Sequence, residues 1–195
     1  MSGLRAGDCA VVLIDLQNSS VAATSTRPAA QLHAAAGALA ELARLWHMPL
    51  LITCGRKPGR GGALIPELTG FAEASGPIMR NTVDAFATPA FGDEVARARR
   101  NTLLIAGVAL DIGVAISALS ARTKSHEVYV VAEACATTDA LAETTAVLRL
   151  TAAGAHWIGF ASLALELMAD FTAPQAAPTQ ALVHRINSEH QKAHP

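Results

Sequence analysis

The stretch at 103–115, LLIAGVALDIGVA, constrains this chain more than any other. Residues 103–106 form an uninterrupted apolar run, the pattern of a strand covered on both faces. Gly107 and Val108 mark its end. Asp111 then stands where a helix N-cap belongs, and Ile112, Ile116 and Leu119 follow at helical spacing. A strand that runs straight into a helix offers unpaired backbone N–H groups at the carboxyl edge of a sheet. Open α/β sheets place ligands at that edge, and the geometry suits an anion or a developing oxyanion. The backbone near Leu110, Asp111 and Gly113 is therefore a candidate oxyanion and substrate-binding element.

Other segments repeat the alternation. Apolar runs at 10–14, 50–53, 77–79, 128–132 and 156–158 read as further strands. Helical patterns fall at 28–46, 89–100, 139–153 and 163–171, with a helical turn at 63–68. This order predicts an α/β fold: a parallel sheet with helices on both faces and right-handed crossovers. Asp15 follows the first strand, Cys54 the second and Arg80 the third, so each is expected at the carboxyl edge. Residues 54–62, CGRKPGRGG, are basic and glycine-rich but lack the order of a P-loop. They read either as a solvated loop or as a lid that meets an anionic substrate.

Composition excludes several classes. A chain of 195 residues, 51% hydrophobic and 16% charged, fits one folded domain and not a disordered chain. The formal net charge of −1, with no block of Lys or Arg, argues against nucleic-acid and membrane partners. Cys9, Cys54 and Cys135 are far apart and odd in number, which suits reduced thiols in a cytoplasmic protein. The N-terminal apolar run ends at Asp15, too soon for a signal segment or a membrane span. No metal is expected, because the seven histidines make no metal-ligand spacing. After residue 171 the chain turns polar, with Pro174, Pro178 and three histidines. The expectation is a domain over 1–171 and an extended polar tail over 172–195. Residues 181–186 are a possible anchoring turn in that tail, and it could reach a neighbouring subunit.

Taken together, VVLIDLQN, RNTVDAF at 80–86 and IAGVALDIGV resemble the isochorismatase-like hydrolase superfamily over about residues 10–171. The segment AAGAHWIGFASLALEL is similar to a bacterial branch of uncertain substrate. The resemblance implies a three-layer αβα sandwich with a six-stranded, mainly parallel sheet, and a homo-oligomer. Most members are cysteine hydrolases of amides that use an Asp, a Lys and a Cys. Here Asp15 matches the Asp, Arg80 stands at the Lys position and Gly113 at the Cys position. None of the three cysteines matches.

A glycine cannot form a thioester, so ordinary covalent amide hydrolysis is not expected. True isochorismatases and the phenazine-pathway vinyl-ether hydrolases also carry glycine there. They use the Asp to protonate a vinyl-ether carbon, after which water attacks. The resemblance thus implies a cofactor-independent, non-covalent hydrolase of a small, carboxylate-bearing metabolite. Asp15 would be general acid or base, and Arg80 would hold a carboxylate or stabilise charge. Backbone N–H groups at Leu110, Asp111 and Gly113 would polarise the substrate, with Gln17 and Cys54 as pocket residues. Two alternatives stand beside it. One is a catalytically silent member that binds a small molecule or serves in an assembly; the other is an amidase that uses Cys54 or Cys135.

Overall fold

The computed structural model describes residues 3–56, 62–72 and 76–192. Six parallel strands form one sheet: β1 (Cys9–Ile14), β2 (Leu50–Gly55), β3 (Ile78–Arg80), β4 (Thr102–Val108), β5 (Glu127–Ala136) and β6 (His156–Ile158). Their order is β3-β2-β1-β4-β5-β6. The chain winds outward from β1 to β3, then crosses back to lay β4 on the other side of β1. That reversal opens a crevice beyond the carboxyl ends of β1 and β4, where doubly wound sheets bind ligands. β1 and β4 are buried at every position, as continuous apolar runs in a parallel sheet should be.

Helices cover the sheet in two groups. The first is α2 (Ala29–Leu45), α6 (Phe160–Met168) and α7 (Ala176–Lys192), which pack on one another, with α2 and α6 also on the strands. The second is α3 (Pro89–Ala98), α4 (Ala115–Thr123) and α5 (Ala140–Ala152), against β2, β5 and β6 respectively. A single turn, α1 (Asn18–Val21), follows β1. The result is a three-layer αβα arrangement with an all-parallel sheet. In α2 the buried positions Leu32, Ala35, Ala36, Leu39, Leu42 and Ala43 recur at helical spacing, and the alanines let the helix lie close. Asp139 caps α5, its Oδ1 accepting from the Ala142 N–H at 2.9 Å, and Gly154 stops the chain beyond it at φ +78°.

Two expectations fail. Asp111 is not an N-cap: the chain enters a π-helical turn, Leu110–Val114, which runs into α4, so Asp111 lies inside the first turn. Its carboxylate accepts from the Thr137 hydroxyl beyond β5. The segment after 171 is not an extended tail, because α7 fills most of it. Ala176, Thr179, Leu182, Val183 and Ile186 are buried at helical intervals, and Pro178 falls in the first turn, where it costs no helical hydrogen bond. Trp46 Nε1 donates to Thr179 Oγ1 at 3.2 Å, fastening α7 to the end of α2. The anchoring residues at 181–186 are real, but they belong to a docked helix. Among the described residues no helix is long and apolar enough to cross a membrane.

Candidate active site

The switch point between β1 and β4 gathers the site. Asp15 follows β1 directly, in the left-handed region at φ +53°, a conformation Asp tolerates better than most non-glycine residues. Its N–H donates to Thr53 O at 2.9 Å, which ties the bend to β2. Across the crevice, Ile14 pairs with Gly107, whose φ is +143°. A Cβ at Gly107 would lie 2.0 Å from Ile14 O, so only glycine lets the two strands close here. The next peptide but one, Val108–Ala109, is cis and leads into the Leu110 turn.

Arg80, the last residue of β3, reaches across β2 to Asp15. Its Nη2 is 2.6 Å from Asp15 Oδ1, and both side chains are about 1–2% exposed. The same oxygen accepts from the Gly55 N–H at 2.6 Å. Nη1 donates to the Thr82 and Val83 carbonyls, the latter at 2.9 Å. The 80–88 segment is itself pinned to α4: Ala85 N–H donates to Ser117 Oγ at 2.9 Å, and Ser120 Oγ donates to Asp84 Oδ2 at 2.6 Å. The guanidinium is thus fixed on both sides, and its Nη groups do not present a free two-pronged fork to a ligand. Nη2 has the ion contact with Asp15 and, like the buried Nε, no hydrogen-bond partner among the described residues.

A cleft of about 260 Å³ opens over this pair. Asp15, Arg80, Gly55 and Gly113 line it, with Arg56, Asn81 and Thr82 adding polar groups and Val83, Ala109 and Ile112 apolar ones. A Cβ at Gly113 would lie 3.5 Å from Asp15 Oδ2 and 3.6 Å from Arg80 Nη2, ordinary contact distances. A Cβ therefore fits beside the pair, and the backbone would accept an L side chain.

The other candidates lie elsewhere. Leu110 is a core residue, 1% exposed, and the Asp111 side chain is taken up by Thr137. Gln17 is buried, and its Nε2 donates to Gly62 O at 2.9 Å; with the Gln17–Leu64 bridge it holds the returning chain and does not line the cleft. Cys54 is buried one residue short of the cleft wall. Burial, then the Asp15 charge, push its thiol up to about 12, against a smaller opposing pull from Arg80. Cys135 is also pushed up to about 12 and Cys9 to about 11, in both cases first by burial. None of the three is a ready thiolate nucleophile. Of the basic loop, Arg56 is on the cleft wall, while 57–61 lie outside the described residues. The sequence reading missed the Gly55 N–H and the Thr82 and Val83 carbonyls. These are backbone groups, which no residue pattern marks. Val83 and Ile112 lie inside the motifs that carry the resemblance, yet neither was expected on the cleft wall, because an apolar residue signals core.

A buried carboxylate–guanidinium pair stands at the switch point of a doubly wound sheet, the place where proteins of this α/β class bind small molecules. The particular family follows from comparison: the isochorismatase domain family matches residues 9–162, and the chain belongs to it. A curated relative, the probable hydrolase YcaC of Escherichia coli K12, is 30% identical over 169 residues, covering 86% of this chain and 81% of that protein. The crystal structure of the E. coli YcaC gene product, an octameric hydrolase of unknown specificity, superposes with a TM-score of 0.90. It is 26% identical over 99% of this chain and 95% of that one. YcaC from Pseudomonas aeruginosa, solved with hexane-2,5-diol and covalent acrylamide, gives a TM-score of 0.84. It is 27% identical over 96% of this chain and 97% of that one.

Proposed function

We propose that this chain is an isochorismatase-family hydrolase that works without an enzyme nucleophile, with Asp15 as its general acid or base. The observation that carries the reading is the glycine at 113, where a Cβ would lie 3.5 Å from Asp15 Oδ2, in a cleft that no cysteine lines. Where most members would present a thiol, this cleft has room for water beside a carboxylate. On an enol ether, the Asp15 proton goes to the vinyl carbon. Water adds to the resulting oxocarbenium carbon and returns a proton to Asp15, and the hemiketal collapses to a carbonyl compound and an alcohol. Arg80 acts on Asp15: it fixes the carboxylate and balances its charge in a dry setting. Arg56, exposed on the cleft wall, carries the charge for a substrate carboxylate. The substrate is accordingly a small, carboxylate-bearing metabolite.

The protein also works as a homo-oligomer in this reading, supported by the octameric state of the E. coli YcaC structure.

Isochorismate, related enol ethers and a panel of amides, incubated with the protein and followed by mass spectrometry of products, test the chemistry. Turnover of a carboxylate-bearing member is expected, with no covalent intermediate. A substrate adduct trapped on Cys54 or Cys135, with activity lost when that cysteine becomes Ser, would overturn the reading.

A further inference from the structure

We infer that the outer face of α5 is a contact between two copies of this chain, paired antiparallel about Thr144 and Thr145; this rests on the homo-oligomer reading above. α5 has its fold-facing side at Ala146 and Leu150, 4% and 0% exposed. On the opposite side Leu141, Thr145, Leu148 and Ala152 lie within a sector of about 60° at 100° per residue. All four are exposed, Leu141 at 73% and Leu148 at 65%. A stripe at i, i+4, i+7 and i+11 with two leucines is the pattern of a helix–helix seam, yet in the single chain it faces solvent.

The stripe is self-complementary, which is what a twofold contact demands. With Leu141 set opposite Leu148 of a second copy, the same pairing repeats on the other side of the axis, and Thr144 meets Thr145 at the centre. The small central side chains let the helices approach while the leucines interdigitate beyond them. In this register the exposed Arg149 comes opposite residue 140 of the second copy, one position from its exposed Asp139 carboxylate. Two symmetric charge pairs then close the ends of the seam. A helix lying on a membrane surface would carry a basic flank, and α5 has only Arg149 and the acidic Glu143. α5 also packs on the Leu110–Val114 turn, so the contact braces a wall of the cleft.

The test is the mass of the full chain by size-exclusion chromatography with light scattering, alongside Leu141→Glu/Leu148→Glu. An oligomeric parent and a double variant of at most half its mass, with unchanged far-ultraviolet circular dichroism, are expected. A monomeric parent removes the oligomer reading and this contact together. An oligomeric parent whose mass survives both substitutions removes the α5 contact alone. Should the double variant lose its helical signal, Thr145→Cys decides. Mild oxidation is expected to join two chains through residue 145 near the axis, visible as a doubled mass on a non-reducing gel, and its absence overturns the contact.

Discussion

The carboxyl edge of the sheet and the last helix are both buried, and by opposite means. At the edge, Asp15 and Arg80 are withdrawn from water as charges and held by backbone groups: the Gly55 N–H on one side, the Thr82 and Val83 carbonyls on the other. In α7, a stretch polar by composition withdraws Leu182, Val183 and Ile186 and leaves its charges outside, where Arg185 pairs with Glu41 at 2.7 Å on the surface. Area burial is forgiving, since any apolar residue of similar size fills the space. A buried ion pair is not: each charge is tolerable only while the other is in place. Burial of this second kind at a cleft is what the proposed chemistry rests on, because apolar packing would hold the same strands together at no such risk.

The sharpest way to break the comparison is to remove one charge. Asp15→Asn keeps the shape but leaves Arg80 buried and uncompensated. A loss of about 3–5 kcal/mol in unfolding free energy is expected, the cost of orphaning one member of a buried pair. Arg80→Met should cost a similar amount. The double variant should be less destabilised than the sum of the two, a coupling that denaturant titrations of all four proteins would measure. Turnover by Asp15→Asn should fall at least on the order of a hundredfold. Full activity and full stability in Asp15→Asn would remove the pair from both the chemistry and the stability of the protein.

In α7 the expected effects are smaller and independent. Ile186→Ala opens a cavity between α7 and its neighbours and should cost about 2–4 kcal/mol, while leaving kcat unchanged in what remains folded. Arg185→Ala removes only the exposed pair with Glu41 and should cost under about 1 kcal/mol. An Ile186→Ala midpoint equal to the parent's would show α7 to be loosely docked.

The same two regions divide what the sequence made legible. The strands, their parallel order and the convergence of Asp15, Arg80 and Gly113 followed from apolar runs ending in glycine, Asp or Arg, and from motifs with few alternative meanings. Polar composition hid α7. Its stripe at 176, 179, 182, 183 and 186 is present in the sequence, but Pro178 and the surrounding polar residues argued for an extended chain. Asp111 misled for the opposite reason. An Asp after a strand is the usual sign of a cap, and nothing local announces that the helix starts two residues early or that Thr137 waits beyond β5. Partners that distant in sequence are set by the register of β4 on β5, which shifts between Ile105 and Gly107.

The smallest effects concern the thiols, and they separate the cleft from the core behind it. With Cys54 and Cys135 pushed up to about 12, the thiolate fraction of each at pH 8 is on the order of one in ten thousand. Iodoacetamide should therefore leave the native protein unmodified over hours and label it after unfolding. Because the folded thiols keep their protons where unfolded ones lose them, their contribution to stability is complete below about pH 9. It is lost as pH rises from 9 toward 12. Cys54→Ala and Cys135→Ala should flatten that alkaline decline, cost about 1 kcal/mol or less at pH 7, and leave turnover unchanged. Gly113→Cys is the converse arm. The backbone has room for its Cβ, and the new thiol would stand in the first turn of a helix between the Asp15 carboxylate, a base for its proton, and the Arg80 guanidinium, a cation for the thiolate. Mass spectrometry after brief alkylation should find label on residue 113 and none on residue 54. Prompt labelling of Cys54 in the parent protein would place that thiol in the cleft and return the nucleophile to the mechanism.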